Sequence, residues 1–193
     1  MAPYETLQAF LALNLDIDST RRLTLATVGA RSAVSLPELR WAPPTKVHVT
    51  LRYFADLDVA IVSALRDAMA RLVSGRSAPR LAFGGFAAFP DLDLARVLYA
   101  ETEDVGGATA ALALSIDEAA EALGLPGAPR AFLPHLTLAR SRAPLPLRAL
   151  LSPFATWKVR ATAAEVVLYR GETSAPENEY PAVARFAFGS SQR

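Results

Sequence analysis

Only two histidines occur in the 193 residues, and both open the same phrase: His48-Val49-Thr50-Leu51 and His135-Leu136-Thr137-Leu138. At ordinary residue usage a given His is followed by Thr and Leu at these offsets roughly one time in a hundred or less, so coincidence is a poor account of the pair. An imidazole with an ordinary pKa of ~6.5 takes or gives a proton near neutral pH, and a threonine hydroxyl donates to an anion's oxygens. Two such pairs meeting in one pocket supply what displacement at a phosphodiester needs: a base for the nucleophile, an acid for the leaving group, and donors for the non-bridging oxygens.

The motifs read as strands, in which alternate side chains share a face, so His48 projects with Thr50 and His135 with Thr137. For a lone His on an apolar strand, a buried hydrogen-bonded imidazole is the commoner role, and Thr is common in strands. The duplication reverses that weighting. Two His are too few to hold zinc, and no nearby Asp or Glu has metal-motif spacing, so metal-independent catalysis is expected, with no metal ligands and no cofactor. On a regular strand Arg52, four residues after His48, shares its face and is a candidate substrate contact. Arg140, five residues after His135, reaches the pocket only if the strand ends or bulges. Arg96 and Arg170 sit beside strand ends, where surface charge is the commoner role.

The elements that must hold these groups are legible in outline. Residues 10–15 read as a strand, with N-cap residues at 16–19 for an amphipathic segment running to about 34. After the turn Trp41-Ala42-Pro43-Pro44, residues 46–54 form the first motif strand. Apolar residues at helical spacing place a helix over 56–73, ended near Gly75. Residues 80–89 and 96–101 are strands joined by the turn at 90–93, and a helix follows over 108–123. A Pro/Gly loop at 125–130 leads to the second motif strand, 135–140. A short helix at 145–151 and strands at 157–169 and 180–188, separated by a polar loop at 171–178, complete an α+β chain. Motif strand followed by helix occurs in each half, which suggests two related lobes.

The composition, 52% hydrophobic and 20% charged, is that of a folded globular chain, of a length that suits one domain over 1–193. With no apolar run near the ~18 residues of a membrane span and no basic-then-apolar leader at Met1-Ala2-Pro3-Tyr4-Glu5, a cytoplasmic location is expected. The absence of cysteine excludes disulfides and thiolate chemistry. A net charge of +1 argues against a wide basic face for nucleic acid but leaves room for a compact anion site.

The two motifs, with Phe10-Leu11-Ala12-Leu13-Asn14-Leu15, Arg40-Trp41-Ala42-Pro43-Pro44, Gly85-Phe86-Ala87-Ala88-Phe89-Pro90, Arg96-Val97-Leu98-Tyr99, Phe132-Leu133-Pro134, Val166-Val167-Leu168-Tyr169 and Tyr180-Pro181, resemble the 2H phosphoesterases, and within them the RNA 2′,3′-cyclic phosphodiesterases, also called 2′-5′ RNA ligases. The resemblance implies a bilobal α+β fold, two antiparallel sheets facing a central cleft with helices outside. It implies His48 as the acid for the departing ribose 3′ oxygen, His135 as the base for water, Thr50 and Thr137 on the phosphate oxygens and Arg140 on the nucleoside. The implied reaction is metal-independent opening of an RNA terminal 2′,3′-cyclic phosphate to a 2′-phosphomonoester, with reversal giving 2′-5′ ligation. Asn14 stands where Asp is usual in the family, and Leu133 where a basic residue is common. Two alternatives use the same motifs: a phosphodiesterase on a cyclic nucleotide, ADP-ribose cyclic phosphate or 2′-5′ oligonucleotide, and a low-turnover module binding RNA ends or nucleotides. The expected partners are an RNA 3′ end or a small cyclic phosphodiester, with no membrane and no obligate protein partner to a monomeric chain.

Overall fold

The computed structural model describes residues 5–171 and 180–189. Strand β1 (Thr6–Leu15) leads through the cap Asp16, whose carboxylate accepts from the Ser19 amide, into helix α1 (Ile17–Ala33). A three-residue strand, β2 (Leu39–Trp41), and a turn of 3₁₀ helix at Pro44–Lys46 precede β3 (His48–Asp58), which carries the first motif. Helix α2 (Val62–Ser74), strands β4 (Arg80–Phe89) and β5 (Ala95–Asp104) and helix α3 (Ala108–Glu121) follow. The second motif opens β6 (His135–Leu145), and a one-turn helix α4 (Arg148–Leu151) leads to β7 (Lys158–Arg170) and β8 (Ala182–Ala187).

The expected α+β class is found, but the strands form one sheet rather than two. Hydrogen bonding runs β1-β3-β6-β5-β4-β7, and β7 pairs back onto β1, so six antiparallel strands close into a barrel-like ring. Strand β2 attaches to β6 and β8 to β7. The ring can close because β7 is long: its first half pairs with β4 and its second half with β1. At the β4 contact Gly84 is required, since a Cβ there would lie 2.6 Å from the Trp157 carbonyl oxygen.

Several boundaries move for physical reasons. The first motif strand runs on to Asp58 because Leu57 and Asp58 pair with Leu7 and Thr6, so α2 starts later than helical periodicity suggests. Strand β6 likewise runs on to Leu145, where it pairs with Ala95, and shortens the helix expected at 145–151 to one turn. The polar loop expected at 171–178 lies, Gly171 apart, outside the described residues.

One side of the ring is apolar and packs on the helices. Leu11 and Leu13 of β1, Val49 of β3, Leu136 of β6 and Leu168 of β7 share a buried cluster with Leu65 and Met69 of α2 and Leu112 and Ile116 of α3. Among the described residues no helix is long and apolar enough to cross a membrane. Leu136→Ala, at a site with no solvent exposure, is expected to cost about 3 kcal/mol in urea unfolding; a loss below ~1 kcal/mol would mean that the joint between the motif strands is not a packed part of the core.

Candidate active site

Strands β3 and β6 touch through a single antiparallel pair, Val49 with Leu136. Both side chains are fully buried on the helix side, so their neighbours point the other way. Carried one residue on, the register puts His48 across from Thr137 and Thr50 across from His135. Each imidazole thereby faces the other motif's hydroxyl. The face opens into a cavity of about 660 Å3 lined by His48, Thr50, His135 and Arg140, with Lys46 and Tyr53. Thr137 is partly exposed beside it, opposite Tyr99 of β5.

Each motif is followed by a bulge, and the bulges decide which later side chains reach the cavity. On β3, Thr50 pairs with Ala12 and Arg52 with the adjacent Leu11, leaving Leu51 as an extra residue. On β6, Thr137 pairs with Tyr99 and Ala139 with the adjacent Leu98, leaving Leu138 extra. An extra residue reverses the alternation of faces. Arg140 is thereby turned onto the His135 face. By the same step Arg52 is turned away from His48, contrary to the regular-strand expectation. Its buried guanidinium is paired with Asp117 of α3 and donates to the Pro126 carbonyl, in the loop that leads to His135. It ties β3 to that loop and is not free to bind substrate in the cavity. Tyr53 takes the place expected of Arg52. It stands five residues after His48, as Arg140 does after His135, and that shared offset was the available signal. Arg96 donates to the Arg142 carbonyl at the surface, and Arg170 is exposed at the end of β7.

The histidines are held alike in different surroundings. His135 lies 2.9 Å through Nδ1 from the Leu133 carbonyl; that oxygen only accepts, so Nδ1 carries the proton and the Nε2 lone pair of a neutral ring is left free. The edges of Phe89 and Tyr99, themselves stacked at 4.6 Å, close around it. His48 bonds the Lys46 carbonyl, also two residues upstream. Its ring stacks on Phe10 at 5.2 Å, with Tyr169 and Tyr180 at 6.3 and 6.1 Å, and Tyr169 is fixed through its hydroxyl by Asn14 at 2.8 Å. Burial among these rings, helped by the charge of Arg140 and by His135, pushes the His48 pKa down to about 4 against the pull of the Lys46 carbonyl. These aromatic walls were visible as residues in the sequence, but nothing in their spacing assigned them to the cavity.

The architecture recurs in solved proteins. A protein of Thermus thermophilus superposes with a TM-score of 0.75 at 23% identity, covering 96% of this chain and all of that one. LigT of E. coli, crystallised with 3′-AMP, superposes with a TM-score of 0.70 at 19% identity over the same shares. The fold is thus the LigT-like ring, with a His-x-Thr strand from each half at its cavity. The sequence model of the 2′-5′ RNA ligase superfamily matches residues 27–175, and the chain belongs to that family. A curated relative from Geobacillus stearothermophilus, named RNA 2′,3′-cyclic phosphodiesterase, is 31% identical over 165 residues, 83% of this chain. The chain spans about half of that relative's length, 51%.

The unfolded His48 imidazole, near 6.5, gains its proton before the folded one, near 4. Stability is therefore expected to fall as pH drops from about 6.5 toward 4 and to be insensitive to this group above pH 7. Thermal unfolding across that range should show a smaller acid loss in His48→Gln than in the parent; equal losses would contradict the lowered pKa. Arg52→Ala, which leaves Asp117 half-buried without its partner, is expected to cost about 3 kcal/mol in the same assay, and a loss under ~1 kcal/mol would contradict its tying role.

Proposed function

We propose that this chain opens RNA terminal 2′,3′-cyclic phosphates to 2′-phosphomonoesters by two-histidine acid–base catalysis. The observation that carries the reading is the meeting of both His-x-Thr pairs at Val49–Leu136 on the cavity side. The name of the Geobacillus stearothermophilus relative supports the substrate class.

With Nδ1 committed to the Leu133 carbonyl, His135 presents Nε2 as the base that takes a proton from the attacking water. The water oxygen bonds to phosphorus as the bond from phosphorus to the ribose 3′ oxygen breaks, and His48 gives that oxygen its proton. A pKa near 4 keeps His48 neutral in the empty cavity at pH 7. A phosphate anion beside it offsets the charge of Arg140 and favours the imidazolium, so the acid is armed by substrate. Thr50 and Thr137 donate to the non-bridging oxygens, and Arg140 binds the nucleoside side. Run in reverse, with a 5′-hydroxyl as nucleophile, the same groups form a 2′-5′ linkage. No step calls for a metal. The chain acts, on this reading, as one two-lobed unit, with His48 held by β1, β3 and the second half of β7 and His135 by β4, β5 and β6.

The test is to incubate the protein, with a chelator present, with a short RNA ending in a 2′,3′-cyclic phosphate and locate the product phosphate. A 2′-phosphate is expected, with turnover reduced about 10²-fold or more in His48→Ala and in His135→Ala while each variant stays folded. Undiminished turnover in the double variant would overturn the mechanism, and a 3′-phosphate product would overturn the assigned leaving group.

A further inference from the structure

The face that carries His135 continues across the sheet in one unbroken row. His135 pairs with Glu101, Glu101 with Gly84, and Gly84 with Lys158. Directly paired residues of antiparallel strands project from the same face, so Lys158 shares the face of His135. From Lys158 the register of β7 with β4 is regular. Arg160 and Thr162 therefore share that face, with Arg80 opposite Thr162. At strand spacings of ~4.8 Å and ~3.3 Å per residue, Arg80 and Arg160 each lie about 15 Å from His135 along the sheet.

These side chains, with Arg22 of α1, border a second cavity of about 440 Å3. Four cations surround it. Glu103 accepts from Lys158 at 2.8 Å and also feels the field of Arg160. Arg22 is held in place by donating to Ser19 Oγ and the Arg160 carbonyl, neither of which neutralises it. No carboxylate among the described residues forms a salt bridge with Arg22, Arg80 or Arg160, so the cavity keeps a net charge of about three positive. In a chain whose total is only +1, that concentration is a local feature. Planar guanidiniums with free donors match the paired oxygens of a phosphodiester.

We infer that this cavity is a second anion subsite, which holds the phosphodiester backbone of an RNA whose cyclic-phosphate end lies between His48 and His135. The inference rests on the proposed function and narrows it, because a mononucleotide cannot reach both places. At ~3.4 Å per stacked nucleotide, 15 Å corresponds to roughly four or five nucleotides upstream of the reacting phosphorus. The substrate class is therefore a polymer end rather than a free cyclic nucleotide. Since the site grips backbone oxygens only, it gives affinity for length without base preference.

The experiment compares kcat/KM on a 2′,3′-cyclic mononucleotide with that on a short oligonucleotide carrying the same cyclic end, for the parent, Arg80→Ala, Arg160→Ala and the double variant. The parent is expected to prefer the oligonucleotide by about tenfold or more. The double variant should lose that preference at unchanged mononucleotide turnover, and the salt slope on the oligonucleotide should fall by about one per arginine removed. Equal parent activity on both substrates, or an unaltered preference and salt slope in the double variant, would overturn the subsite while leaving the proposed reaction standing. Loss of mononucleotide turnover alongside oligonucleotide turnover would also overturn it, placing the arginines in service of the reaction itself. Absence of parent activity on either substrate would instead defeat the proposed function, and anisotropy of the labelled oligonucleotide would still read the subsite: binding weakened in the double variant supports it, binding unchanged rejects it.

Discussion

One pair of apolar residues joins the two halves of the site. Val49 and Leu136 form the single bridge between the motif strands, and both are fully withdrawn from solvent. Burying them on the helix side leaves their neighbours no choice of direction, because successive strand residues alternate. The hydrophobic core thus sets the direction of four polar side chains. It also explains why each His is set against the other motif's Thr, since antiparallel register about this pair exchanges the offsets. The polar side of the strands is left to the cavity, and among the described residues neither threonine hydroxyl has a hydrogen-bond partner that would compete with a ligand.

The bulges at Leu51 and Leu138 give each strand a second function. Up to the threonine, alternation directs side chains into the cavity; beyond it, the same strand presents the opposite parity. On β6 this delivers a cation, Arg140, to the site. On β3 it delivers an aromatic ring, Tyr53, while sending Arg52 to clamp α3 and the approach to His135. The halves are alike in backbone device and unlike in chemistry. The surroundings of the imidazoles differ too: both rings are oriented by a carbonyl two residues upstream, and His48 is buried under a stack of rings that pushes its pKa to about 4.

The sequence showed the chemistry more plainly than the geometry. Residue type and duplication singled out His48, Thr50, His135 and Thr137, and periodicity located the three long helices and most strands. The contribution of Arg52 was not legible, because a bulge is set by the partner strand: the extra residue at Leu51 exists only relative to Leu11 and Ala12. Ring closure was equally hidden, since it depends on β7 changing partners midway, and no local pattern in residues 158–170 marks that change. The boundary at Asp58 moved for the same reason, as pairing with Thr6 outweighed helical spacing.

In the proposed reaction the two His-x-Thr pairs grip one phosphorus from opposite sides. A crystal structure of the protein with a bound 2′-phosphorylated nucleotide, or with a pentacoordinate phosphate mimic, tests it most directly. The expected result is one phosphorus between the imidazoles, with Thr50 and Thr137 each donating to a different non-bridging oxygen and the two rings on opposite flanks. A phosphate held by one motif alone, with the other His turned away from it, would contradict the account.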